Sequence, residues 1–90
     1  MLYAKCTKPD SGYDYDSKLC KDLLDMKKMY AVKEVCMGGW HTDIILEEFD
    51  ERYENTPRYK YSFNSVNFDF FDENNNPVDI YSMPEYNPFL

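Results

Sequence analysis

Carboxylates dominate the chemistry this chain can offer. Asp43, Glu47, Glu48, Asp50, Glu51 and Glu54 crowd one short stretch, and Asp69, Asp72, Glu73 and Asp79 follow in another. Spaced carboxylates on a stiff sheet imitate a phosphate backbone to a channel lined with Arg and Lys, attracting it at long range and hydrogen-bonding it on contact. The plainer alternative is a solvated face that keeps the protein soluble. Clustering tilts the balance towards function, because like charges held together repel and something must offset that cost. Tyr53, Tyr59, Tyr61, Tyr81, Tyr86 and Trp40 interleave with the acids. Aromatic anchors ringed by charge are what protein-binding surfaces use, and Tyr53 and Tyr59 are the expected anchors.

Other chemistries find less material. His41 and Asp43 alternate onto one strand face, where a carboxylate can orient an imidazole, yet no nucleophile accompanies them. Ser62, Ser65 and Ser82 lack elbow glycines. No catalytic residue is therefore assigned, and the chain is not expected to be an enzyme. Asp72-x-Asn74-x-Asn76 lacks the glycine and the terminal bidentate Glu of a calcium loop, so it is expected to be a turn. Cys6, Cys20 and Cys36 have no C-x-x-C spacing, and one His does not complete a zinc set of the usual form. Free, half-buried thiols are expected, with no metal or cofactor; a Cys6 disulfide to Cys36 or Cys20 is the oxidising-compartment alternative.

Charge sharpens the partner expectation. The net charge is −7, and it is uneven: Met1 to Thr42 holds seven Lys against six carboxylates, whereas Asp43 to Leu90 holds eleven carboxylates against Arg52, Arg58 and Lys60. Binding nucleic acid directly needs a basic footprint, so this sign argues against it and for a basic protein surface. No apolar run approaches the roughly 18 residues of a membrane span. A soluble protein of the bacterial cytoplasm is expected, without membrane contact.

These residues need elements to hold them. Ninety residues make a single domain, residues 1–90, that buries roughly 65% of its extended surface. Val66, Phe68 and Phe70 alternate with Asn67 and Asp69, the period of a strand with one buried face. The Asn- and Asp-rich run from Asp72 to Pro77 then turns the chain, so that Val78 and Ile80 return beside it and Asp69 and Asp79 share an outer face. Upstream, Leu2 to Cys6 reads as a first strand, and a short helix from Lys18 to about Met26, capped by Asp16 or Ser17, carries Leu19, Leu23 and Met26 on one side. Met29 to Met37 is a β-branched strand of which either face can be buried, joined through Gly38-Gly39 to a strand from Trp40 to Glu47. Phe49 and Tyr53 at i and i+4 fit one helical turn, and the carboxylates around them fit a charged loop equally. Pro84 and Pro88 bar the tail from an internal strand and leave Tyr86 and Phe89 over the sheet edge or mouth. The expected fold is mostly β, a small antiparallel SH3-like barrel of about five strands with one or two short helices.

The string Val35-x-Met37-Gly-x-x-x-Thr42-x-Ile44-x-Leu46, with Phe63-Asn-Ser-Val-x-Phe68-x-Phe70 and Asp79-Ile-Tyr81-x-x-Pro84-x-x-Asn87-Pro88-Phe89-Leu90, resembles small proteins of phages and mobile elements of Gram-positive bacteria. It departs from them at Met26-Lys-Lys-Met-Tyr30, which lacks the glycine of their Gly-Lys-x-Tyr step. The resemblance implies an SH3-like barrel and a phage setting but no catalytic residues. That setting brings in inhibitors of bacterial nucleases, including anti-CRISPR proteins. The expected function is thus an acidic inhibitor that blocks the basic surface of a nucleic-acid-binding partner, such as a host nuclease or CRISPR effector. The alternative is an SH3-like module that binds a peptide or small ligand in an aromatic groove of Trp40, Tyr59, Tyr61 and Tyr86.

Overall fold

Strand β1 (Tyr3–Cys6) owes its place to alternation: Leu2, Ala4 and Cys6 are buried while Tyr3 and Lys5 are only half so. It pairs antiparallel with β2 (Met29–Met37) on one side and with β5 (Phe68–Phe71) on the other. A four-residue strand at the chain start is therefore the middle of the sheet. The computed structural model describes residues 1–38, 41–50 and 62–90, with Asp50 in backbone only. Trp40, Glu51, Tyr53, Glu54, Tyr59 and Tyr61 lie outside the described residues, as does the side chain of Asp50.

The six described strands form one antiparallel ladder. Its order is β4 (Ser62–Asn64), β3 (Thr42–Leu46), β2, β1, β5, β6 (Pro77–Val78). β2 serves both halves, and its register with β3 jumps from Val32↔Leu46 to Glu34↔Ile45. The extra residue, Lys33, flips the parity, so Tyr30 and Val32 face the core before the bulge and Val35 and Met37 after it. That flip is why simple alternation left both faces of this strand open.

β4 and β5 stand four spacings apart in the ladder, roughly 19 Å at about 4.8 Å each. Only the 3₁₀ turn Ser65–Asn67 joins them, and it advances about 6 Å at about 2 Å per residue. The sheet therefore curls until its halves meet. A chain of rings marks the meeting: Tyr30, Phe49, Phe63, Phe68 and Phe70 succeed one another at centroid distances of 5.9, 5.6, 6.0 and 6.4 Å. The Phe63 and Phe68 rings, from β4 and β5, touch edge to face. The ends of the ladder, β4 and β6, are not paired among the described residues, so the sheet is open.

The expected continuous strand through Val66 is corrected by this turn. Val66 is 42% exposed and Asn67 fully buried, the reverse of the alternation. Asn64 Oδ1 accepts the Val66 N–H at 3.2 Å, while Asn67 Nδ2 donates to the Lys8 and Ser11 carbonyls at 2.8 Å each. Two amide side chains thus replace the strand ladder locally.

The helix also starts earlier than expected. α1 (Asp14–Leu23) begins four residues before Lys18, with Asp16 as its third residue, where its carboxylate accepts the Tyr13 N–H at 3.0 Å and the Asn64 Nδ2 at 3.1 Å. Gly12 precedes it at φ +79°, and a Cβ there would stand 2.9 Å from Asp16 Oδ2. Cys20 and Leu24 are buried, with Leu19 and Leu23 packed beside them. After β3 the helical turn, and not the charged loop that fitted the sequence equally, forms α2 (Glu47–Asp50) and buries Phe49. No described helix is long and apolar enough to cross a membrane.

Candidate partner-binding surface

The described acids of the expected binding set fall in three places. At the first, the start of β3, Asp43 Oδ2 stands 3.3 Å from His41 Nε2, so the expected approach of these two side chains is realised. At the second, the start of α2, both Glu48 oxygens accept from Lys28 Nζ, at 3.0 and 2.9 Å, and that ammonium lies 5.0 Å from the Tyr30 ring centroid. Glu48 holds the Lys28 ammonium above its ordinary range. Glu47 beside it has no ion-pair partner among the described residues.

The β5–β6 hairpin is the third place. Asp69 accepts from Lys8 Nζ at 3.0 Å and Thr7 Oγ1 at 2.9 Å, which together hold its carboxyl below the usual range. Glu73 takes the N-terminal ammonium at 2.8 Å, a contact spanning 72 positions that lowers the carboxyl and raises the amine. Asp72 shapes the turn: it accepts from the Asn74 and Asn76 backbone N–H groups at 2.9 Å each, and these bonds depress its carboxyl, the Asn76 bond most. Asn75 sits at φ 64°, a conformation Asn tolerates. The run is thus the expected turn. Asp79 caps a 3₁₀ turn, Ile80–Ser82, accepting the Tyr81 N–H at 3.0 Å and the Ser82 hydroxyl at 2.7 Å, so the return strand expected to run on through Ile80 stops at Val78.

Local pairing changes what these acids offer. Asp43, Glu48, Asp69 and Glu73 each face a cationic or protonatable group of the chain itself. Asp72 and Asp79 accept hydrogen bonds from neutral donors and are in no ion pair among the described residues, although the N-terminal ammonium also helps to lower the Asp72 carboxyl. Alternation of residue types reveals charge but not these partners, since Lys8 and the N-terminus reach the hairpin only through the β1–β5 pairing.

Two grooves flank Tyr81, the first of them along this hairpin. One of about 490 Å³ runs along Phe70, Val78, Asp79 and Tyr81; the other, about 340 Å³, lies between the end of β2, His41, Tyr81 and Phe89. Ser65, Val66 and Tyr81 form the ridge between them. Tyr81 is 47% exposed, and its hydroxyl is held 2.6 Å from Ser65 Oγ. Sequence reasoning placed Val66 in the core and so missed it as part of a surface. Tyr86, expected in an aromatic groove, is half-buried against the core, where burial raises its phenol. No group of three or more His, Cys, Asp or Glu side chains able to hold a metal ion occurs among the described residues.

Comparison with known proteins gives the chain a family. The profile described as bacteriophage T4 protein Y07B matches residues 1–90. The chain belongs to that family. It is also 32% identical over 76 residues to an uncharacterised 11.2 kDa protein from the segB–ipI intergenic region of Enterobacteria phage T4, a match covering 81% of this chain and 70% of the relative. The phage setting expected from the resemblance therefore stands, although this relative comes from an enterobacterial phage and not from one of Gram-positive hosts. No solved structure matches.

Proposed function

We propose that this phage-family protein is an acidic protein-binding factor that docks on a basic surface of a partner. The observation that carries the reading is the charge: seventeen carboxylates against ten cations, a net −7 that internal ion pairs redistribute but do not remove. Such a field raises the encounter rate with a cationic partner and repels nucleic acid and membrane surfaces of its own sign. Exposed aromatic and aliphatic groups, among them Tyr13, Tyr15, Tyr81 and Phe89, add the apolar contacts that turn an encounter into a complex.

In its sharpest form the partner is a host nuclease or CRISPR effector, and the acids stand in for phosphates. The phage family and the sign of the charge support that form. Mimicry also asks for one continuous patch, whereas the described acids of the expected set lie on separate elements and four of them, Asp43, Glu48, Asp69 and Glu73, are locally paired, so the reading is a basic protein surface in general. The fold reading behind the alternative, an SH3-like barrel that takes a peptide, draws support from the curled sheet, the shared β2 and the 3₁₀ turn between β4 and β5. The test is affinity capture from phage-infected bacteria with the full chain as bait. A basic protein retained at about 50 mM salt and released by about 500 mM, where the Debye length falls from roughly 14 to roughly 4 Å, is expected. Retention unchanged across that range would overturn the charge reading.

A further inference from the structure

The groove along the β5–β6 hairpin has a built-in charge pattern. Phe70 and Val78 supply apolar wall, and Asp69, Asp79 and Tyr81 stand with them. Lys8 also lines it, but its ammonium is held by Asp69 at 3.0 Å, which makes those two groups a neutral pair. Asp79 is different. Its oxygens receive the Tyr81 N–H and the Ser82 hydroxyl, both neutral, so a whole negative charge stands beside an aromatic ring that is half exposed. The bond between the Tyr81 and Ser65 hydroxyls fixes that ring in place.

We infer that this groove takes an arginine side chain presented by an extended segment of a basic protein, an inference that rests on the acidic-factor reading above. Each part of the guanidinium side chain meets a matching part of the groove. The Asp79 carboxylate accepts hydrogen bonds from the charged head, Tyr81 offers a ring for it to stack on, and Phe70 and Val78 cover the methylene stem. The volume of about 490 Å³ admits one such side chain with flanking backbone. An anionic ligand meets Asp79 unfavourably, and a purely apolar one buries that charge without a partner. A second copy of this chain brings another −7 to the encounter, so the occupant is a different, basic molecule.

The probe is a blocked hexapeptide alternating Arg and Leu, titrated into the ¹⁵N-labelled full chain at low salt. Its controls replace Arg by citrulline, a neutral isostere, or by Glu. Shift changes centred on Val66, Val78, Asp79 and Tyr81 are expected, with the Arg peptide bound about tenfold more tightly than the citrulline one. Asp79→Asn keeps an oxygen to cap the turn and removes the charge; it should erase that preference while leaving the spectrum folded. Phe89→Ala, on the neighbouring groove and 71% exposed, should leave it intact. Equal affinity for the Arg and citrulline peptides overturns the inference. Shifts centred instead on Glu47 and Glu48 also overturn it, while the acidic-factor reading survives. If neither cationic binding nor salt-sensitive capture is found, both fall.

Discussion

Asn67→Ala should be the most damaging single change of a polar residue in this protein. Its amide nitrogen donates to two carbonyls, those of Lys8 and Ser11, and nothing else described in the structure donates to the Ser11 oxygen. The Lys8 carbonyl keeps the Ser11 N–H at 3.2 Å. Truncation therefore deletes both bonds: the one to Lys8 has a net value of about 1 kcal/mol, and the loss of the other strands the part-buried Ser11 carbonyl at about 1–3 kcal/mol, together about 2–4 kcal/mol. Asn67 Oδ1 is itself buried without a partner, and removing it offsets a little of that loss. For a domain of this size the melting temperature should fall by roughly 10–25 °C, followed by circular dichroism. Asn67→Asp should be worse at neutral pH, because it turns a carboxylate towards two carbonyls. That buried carboxyl is pushed above its unfolded value, so stability should recover as pH falls below the raised pKa, where the protonated acid can donate. Val66→Ala, one residue away and exposed, should cost at most about 0.5 kcal/mol. If Asn67→Ala unfolds within about 0.5 kcal/mol of the parent, the account of how the turn pins the 8–11 loop is wrong.

Further expectations follow from the same geometry. Burial raises the Cys6 thiol and pushes Cys20 up to about 12, while Cys36 is exposed. A thiol-labelling reagent at pH 8 should therefore modify one cysteine in the native protein and three in denaturant; rapid labelling of Cys20 in the folded state would contradict the placement of α1. Asn75→Gly should be nearly neutral, and Asn75→Val should cost about 1–2 kcal/mol by urea unfolding, because a β-branched residue resists the left-handed conformation. A neutral valine there would refute the turn geometry. Asp69 has a depressed carboxyl in the folded state, so its contribution is present above the unfolded value near 3.9 and is lost as pH falls through the lower folded value. Acid unfolding of Asp69→Asn should accordingly lack that part of the pH dependence, and an unchanged acid limb would show that the pair with Lys8 does not form in solution.

What could be read without coordinates was local. The β2–β3 hairpin and the β5–β6 hairpin each rest on neighbouring residues: Gly38-Gly39 and the Asn-rich turn before Pro77. What escaped depends on distant partners. Each of β1 and β5 shows its own alternation, but nothing in either segment names the other as its partner, and the Lys33 bulge cancels the alternation it interrupts. Asn67 looked like a solvent-facing member of a strand because its real partners, two carbonyls of the 8–11 loop, arrive only when β1 and β5 pair. The candidate surface divided in the same way. Net charge was open to inspection, whereas the neutralisation of Asp69 by Lys8 and of Glu73 by the N-terminus required the fold.

The most direct test of the central claim is the association rate constant of the full chain with its captured partner, measured by stopped flow across ionic strengths. An acidic factor steered to a basic surface should lose at least about tenfold in that rate between about 50 and 500 mM salt, with the dissociation rate changing far less. A rate constant that holds level over the same range would contradict it.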